Sequence, residues 1–329
     1  MIEVSVAIVG AGPTGLACGI ALKQSGVDAL IFDKGCVVNS LYNYPTNMSF
    51  FTTPELLEIG GIPMTSLNEK PNRTEALKYY RRVASYFDLT VRQYEHVESV
   101  TGSDGAFRLR TKTRDGMEHE YLAKKVILST GYYDIPVMLQ APGEDLPKVI
   151  HYYKEPHPYF DHDVLVVGGK NSAAIAALEL FWSGARVTFA HRGEGLSDSV
   201  KYWIKPNLEN RFQAGEVKAY FRSSVKEIRE HEVVLTTPEG DVTIRNDFVF
   251  AMTGYKPDLA FLATMGITIC PETGKPKLHP DTYESQTPGI YLAGVLVAGM
   301  HTNEVFIENG RFHGAQIAKD IAAKLGATA

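Results

Sequence analysis

A strand, a glycine-rich loop, a helix and a second strand follow one another over residues 4–33, and the same order returns at 163–192. This repeat predicts an α/β fold with two Rossmann-like, three-layer dinucleotide-binding domains. Three observations carry the expectation: an apolar run feeding each glycine cluster, helical spacing behind it, and a chain of 329 residues, room for about two domains. Apolar residues make up 44% of the chain, enough for full-sized cores.

Taken in order, "VSVAIVG" (4–10) is a β-branched run, the pattern of a strand buried on both faces. "PTGLACGIALKQSG" (13–26) has helical spacing, with Leu16, Ile20 and Leu22 roughly on one face and Gly26 as the stop. "VDALIF" (27–32) is a second buried strand ending at Asp33. "TEALKYYRRVASYFDL" (74–89) reads as an amphipathic helix. Residues 96–131 read as an antiparallel insert that returns to a buried strand, "KVILSTG". The Pro- and Gly-rich "YYDIPVMLQAPGEDLP" (132–147) is the best linker candidate. "DVLVVGG", "NSAAIAALELFWSG" and "ARVTFAHR" (163–192) rebuild the first unit. "NDFVFAMTG" (246–254) reads as a later copy of the return strand, and "FIENGRFHGAQIAKDIAAKL" (306–325) as a helix.

The glycines have separate jobs. Gly10-Ala11-Gly12-Pro13-Thr14-Gly15 matches G-x-G-x-x-G. Gly10 permits the tight turn, Gly12 lets backbone approach a pyrophosphate, and Gly15 lets the helix pack on the strand. The helix N-terminus offers N–H groups and partial positive charge to the phosphates. Asp33 stands 18 residues after Gly15, placed to accept a ribose hydroxyl. Gly168-Gly169-Lys170-Asn171-Ser172-Ala173 is a degenerate copy, with small residues where the last glycine would stand. Its second strand ends in His191-Arg192 instead of an acid. A carboxylate repels a 2′-phosphate and a guanidinium grips it, so the second site should prefer NADPH over NADH.

Composition removes other classes. Net charge is −5, from 33 basic and 38 acidic residues, which gives no electrostatic reason to expect nucleic acid or an anionic membrane as partner. Cys18, Cys36 and Cys270 are too scattered for a disulfide framework or a metal set, which points to a reducing cytoplasm. Glu3 and the early glycines argue against a signal peptide, and the longest apolar stretch, "IYLAGVLVAGM" (290–300), is too short to span a bilayer.

The arrangement resembles the two-dinucleotide-binding flavoproteins, in particular the low-molecular-weight thioredoxin reductase architecture. "LSTG" (128–131) and "MTGYKPD" (252–258) look like that family's paired Thr-Gly turns. "KGCVVNSLYNYPTNMSFFTTPELLEIGGIP" (34–63), "VKYWIKPNLENR" (200–211) and "HTNEVFIENGRFHG" (301–314) resemble the YpdA-type branch, associated with NADPH-dependent reduction of bacillithiol disulfide. The resemblance implies an FAD domain over 1–134 and 248–329, with an NADPH domain over 135–247 inserted into it. It implies cofactor contacts from Pro13, Thr14, Lys34, Val97, Thr130, Gly131, Gly254, Gly294 and Val295, contacts along the flavin's phosphate and ring edge from Asn39, Ser40, Tyr44 and Thr46, and a homodimer or larger homo-oligomer.

Two departures bear on mechanism. Residues 132–160 contain no cysteine, which excludes the Cys-x-x-Cys dithiol of ordinary thioredoxin reductases. Members of the YpdA-type branch carry a cysteine where this chain has Thr14, and a hydroxyl forms no mixed disulfide. Cys18, one helical turn further on, is a catalytic candidate. His301 is a candidate proton relay, and a helix opening at His301-Thr302-Asn303, capped by Thr302 or Asn303, would stabilise charge on a reduced flavin. The leading expectation is hydride transfer from NADPH to flavin and on to a small-molecule disulfide. Alternatives are a ferredoxin- or flavodoxin-NADP⁺ reductase and a low-turnover nucleotide-sensing flavoprotein.

Overall fold

The computed structural model describes residues 2–327. The chain divides into two compact units. The first contains Met48–Ile135 with the segments up to Asn43 and from Lys256 onward; the second contains Tyr44–Asn47 and Pro136–Tyr255.

In the first unit, strand β1 (Ile2–Val9), helix α1 (Pro13–Gln24) and strand β2 (Ala29–Asp33) form the expected β-α-β. Strands β3 (Val91–Gln93), β4 (Glu95–Ser103), β5 (Ala106–Thr113) and β6 (Glu118–Leu128) extend it into one sheet of order β3-β2-β1-β6-β5-β4. Strand β6 has three partners within this sheet. On one side it runs parallel to β1; on the other its first half pairs antiparallel with β5, and its last three residues pair in parallel with Ile290–Leu292. The continuous apolar run of β1 follows from this central place: Val6, Ala7, Ile8 and Val9 are all buried.

Helix α1 is buried around most of its circumference, which the one-face reading of Leu16, Ile20 and Leu22 understated. Gly15, Ala17, Cys18 and Gly19 are buried as well. The helix His313–Leu325 crosses it so closely that a Cβ on Gly314 would stand 2.8 Å from the Ala17 carbonyl oxygen. The helix expected over 74–89 runs Arg73–Tyr86 and starts at a capping box: Glu75 N–H donates to Asn72 Oδ1 at 2.9 Å, and Asn72 N–H donates to Glu75 Oε2 at 2.8 Å.

The second unit is a five-stranded parallel sheet. Its order is Lys218–Phe221, Arg186–His191, Asp163–Val167, Phe248–Ala251, Val149–Ile150. The helix Asn171–Trp182 packs on it through buried Ala173, Ala174, Ala176 and Ala177. An antiparallel meander, Ser224–Ile228, Glu232–Thr237 and Gly240–Arg245, is also present; it was not read from the sequence.

The compact units differ from the expected boundaries. Residues 248–255 belong to the second unit, because Phe248–Ala251 pairs with Asp163–Val167 and with Val149–Ile150. Most of the expected linker, from Pro136 on, also lies in the second unit, where Leu139 and Gln140 N–H groups donate to the Glu144 carboxylate at 2.6 and 2.8 Å. The C-terminal helix is broken: Ile307–Gly310 precedes His313–Leu325, with Arg311 and Phe312 between.

Candidate functional site

At the C-terminal edge of the first sheet, Gly10 turns the chain with φ 107°, and a Cβ there would overlap the Ser129 carbonyl. At Gly15 a Cβ would overlap the Gly10 carbonyl oxygen and come within 2.6 Å of Ser129 Oγ. Ser129 itself donates to the Val9 and Gly10 carbonyl oxygens at 3.1 and 2.9 Å, pinning the end of β6 beneath the loop. Gly12 differs from both: beyond its own chain neighbours, no protein atom lies within 4 Å of its Cβ position. It is also the N-cap of α1, with no side-chain cap and Pro13 at the helix start. Space is thus open beside the uncapped N-terminus of α1, an arrangement that suits an anionic pyrophosphate.

Asp33 braces this loop. Its Oδ2 accepts from Ala11 N–H and its Oδ1 from Gly35 N–H, each at 2.8 Å. Burial pushes its carboxyl above the ordinary range, against the pull of those two N–H bonds. Two of a carboxylate's roughly four acceptor positions remain for ribose hydroxyls.

Thr14 is half-buried and packs against two glycines. A Cβ on Gly294 would stand 3.0 Å from Thr14 Oγ1, and one on Gly310 would stand 3.3 Å from it. Gly294 N–H donates to His313 Nδ1 at 3.1 Å, so the neutral ring carries its proton on Nε2. His313 stacks on Tyr283 at 4.2 Å, and burial pulls its pKa down to about 4. The sequence reading missed His313, whose only signal was its place in "HTNEVFIENGRFHG". A His pKa that is depressed in the fold contributes stability that is complete above the ordinary value of 6.5 and lost as pH falls toward 4. Thermal melts from pH 7 to pH 4 are therefore expected to fall more steeply for the native chain than for His313→Gln, which cannot titrate; parallel curves would refute this.

In the second unit Gly168 packs against Ala173, whose methyl lies 2.9 Å from the Cβ position of that glycine. The small residue replaces the third glycine, as expected. At Gly169 a Cβ would overlap the His191 ring, which also lies 2.7 Å from the Cβ position of Gly193. Burial, and secondarily the charge of Arg192, lower the His191 pKa, so the ring is neutral at pH 7. Lys170 and Ser172 are exposed at the start of Asn171–Trp182.

Cys18 and the turn at His301 stand differently from their expected roles, and the remaining candidate residues are placed as follows. Cys18 is fully buried and its thiol is pushed up to about 12, so it presents no thiolate. No helix opens at His301-Thr302-Asn303; these residues form a turn, and the next helix starts at Ile307. His301 faces Glu304 at 3.3 Å with about half its side chain exposed. The Asn171 amide is occupied, donating to Ser199 O and accepting from Lys201 N–H, both at 3.0 Å. Val97 is buried in the core and pairs with Thr111, so its side chain is closed to a ligand. Lys34 pairs with Asp134 at 3.0 Å, and the Asn39 side chain folds onto Gly35. Ser40 follows Asn39 in the short helix Asn39–Asn43. Tyr44, Thr46 and Gly254 belong to the second unit, where Thr46 N–H donates to Lys154 O at 2.8 Å. Thr130 and Gly131 follow β6, and Val295 lies in the turn Gly294–Ala298.

Comparison with known proteins agrees with this geometry. Residues 7–294 match the family described as pyridine nucleotide-disulphide oxidoreductase. The bacilliredoxin reductase Bdr of Bacillus subtilis (strain 168) is 48% identical over 326 residues, covering 98% of this chain and 99% of that protein. The structure of bacillithiol disulfide reductase Bdr (YpdA) from Bacillus cereus superimposes with a TM-score of 0.96 at 48% identity, covering 98% of this chain and 99% of that one. T. acidophilum thioredoxin reductase shares the fold, with a TM-score of 0.75 at 21% identity over 99% of both chains.

Proposed function

Because the chain belongs to the pyridine nucleotide-disulphide oxidoreductase family, we propose that it reduces a low-molecular-weight disulfide of the bacillithiol type at the expense of NADPH. The chain is a flavin oxidoreductase that uses FAD and NADPH. The reaction balances as NADPH + H⁺ + RSSR → NADP⁺ + 2 RSH. When bound, FAD would supply the two-electron relay between the nicotinamide and the disulfide.

The observation that carries this reading is the open cradle over Gly12, at the N-terminus of α1 and beside Asp33. We assign FAD to the first unit. There the first-turn N–H groups of α1 neutralise the pyrophosphate and Asp33 accepts from the ribose. We assign NADPH to the second unit, with its pyrophosphate at Gly168–Ala173 and its 2′-phosphate at Arg192. The neutral His191 ring packs over Gly169 and shapes that loop. Arg192→Ala is expected to weaken NADPH binding by about 1.5–3 kcal/mol through lost charged hydrogen bonds, with NADH binding nearly unchanged. Equal losses for both nucleotides would remove the assignment.

Thr14 holds the position between Gly294 and Gly310 with a hydroxyl that forms no disulfide. Electrons therefore reach the substrate without a chain cysteine at that point, and Cys18 is sealed away from it. His301, exposed beside Glu304, is the candidate for proton supply to the leaving thiolates. Thr14→Ser and Cys18→Ala are each expected to keep turnover with both bacillithiol disulfide and a quinone, at a stability cost of roughly 1 kcal/mol or less from the atoms removed. Loss of disulfide turnover alone in Cys18→Ala would overturn this. No helix among the described residues is long and apolar enough to cross a membrane. A cytoplasmic homo-oligomer completes the proposal; the three cysteines are all free thiols, in keeping with a reducing compartment.

A further inference from the structure

We propose that Arg222, just past the edge strand Lys218–Phe221, supplies a second guanidinium for the 2′-phosphate and so shares with Arg192 the preference for NADPH. The proposal rests on the NADPH reading of the second unit. It starts from register. Arg186–His191 and Lys218–Phe221 are parallel, with His191 opposite Phe221. Beyond the strand ends, Arg222 N–H donates to Gly193 O at 2.8 Å, and Ser223 N–H donates to His191 O at 3.1 Å. Those two bonds bracket Arg192. Arg192 and Arg222 therefore leave neighbouring strands at the same level, roughly one strand spacing of 4.8 Å apart. They do so at the C-terminal edge of a parallel sheet, where dinucleotides bind.

The position is built rather than incidental. Arg222 has φ 50°, a conformation disfavoured for a residue with a side chain. The next residue, Ser223, is buried and donates from Oγ to Phe221 O at 2.8 Å, which holds the turn. Arg222 also lines a recess of about 480 Å³ with Glu194, Tyr220, Thr237 and Glu239, a recess to which Arg192 does not contribute. Two carboxylates stand close by, yet no ion pair or side-chain hydrogen bond among the described residues engages Arg192 or Arg222. Arg186, on the same strand as His191, is by contrast tied to both Asp161 and Asp163. Two guanidiniums brought together from these positions would repel each other unless an anion lay between them. A phosphate dianion does so with charged hydrogen bonds, whereas a ribose hydroxyl does not. Arg222 lies 30 residues beyond Arg192, outside any strand-end motif, so only the parallel pairing brings the two together.

Calorimetric titration of the FAD-loaded protein with 2′,5′-ADP and with 5′-ADP tests this directly, with circular dichroism melts to confirm that each variant is folded. The native protein should bind 2′,5′-ADP more tightly. Arg222→Ala should weaken 2′,5′-ADP binding by about tenfold or more and change 5′-ADP binding by less than about twofold, with Arg222→Lys recovering part of the loss. An unchanged 2′,5′-ADP affinity, or an equal loss for both ligands, would overturn the role of Arg222 while leaving Arg192 in place. A native protein that binds both ligands alike would instead remove the NADPH reading, and this inference with it.

Discussion

Gly12→Val is expected to give a folded protein that has lost most of its FAD. Beyond its own chain neighbours, the Cβ position of Gly12 meets no protein atom within 4 Å, so the chain itself tolerates the substitution. The added isopropyl group would instead fill the space assigned to the pyrophosphate beside the N-terminus of α1. Backbone N–H bonds to a charged phosphate are each worth about 1.5–3 kcal/mol, and losing even two of them costs a factor of a hundred or more in affinity. Absorbance of the purified protein reports flavin content, and circular dichroism reports the fold. Full flavin occupancy in a folded Gly12→Val would show that this loop does not hold the cofactor.

Gly15→Val, three residues away, is expected to fail differently. A Cβ at that position overlaps the Gly10 carbonyl oxygen and crowds Ser129 Oγ, neither of which is free to retreat. Helix α1 would have to lift from the sheet, and overpacking of a fixed backbone contact costs about 1–3 kcal/mol and at times more. Loss of flavin should therefore come with a lower melting temperature. An unaltered melt in Gly15→Val would mean that the helix does not press on the strand as described. The two variants together separate the ligand-facing glycine from the packing glycine.

The first β-α-β unit was readable because its pattern is local. A β-branched run, a glycine loop and an acid at the next strand end lie within 33 residues, and each has one physical reason. The second unit was readable for the same reason, although Ala173 replaces a glycine. What escaped the reading depends on long-range contacts. Phe248–Ala251 looks like any buried strand, and only its pairing with Asp163–Val167 assigns it to the second sheet. The turn at His301–Glu304 resembles a capped helix start in sequence, but the chain continues through Val305 before helical bonding begins at Ile307. Asn171 carries the right chemistry for a ligand contact, yet its amide is used by a loop 28 residues downstream. His313 gave no local signal, because its role comes from a bond to Gly294 across the fold.

The central claim is that electrons reach a small disulfide without a cysteine of this chain. Anaerobic stopped-flow mixing of the Cys18→Ala holoenzyme tests it most directly, first with NADPH and then with bacillithiol disulfide, with intact-mass analysis of the quenched protein. NADPH should bleach the flavin absorbance, the disulfide should restore it, and no bacillithiol adduct should appear on Cys36 or Cys270. A flavin that stays reduced in the presence of the disulfide, or an adduct on either remaining cysteine that forms and decays with turnover, would contradict it.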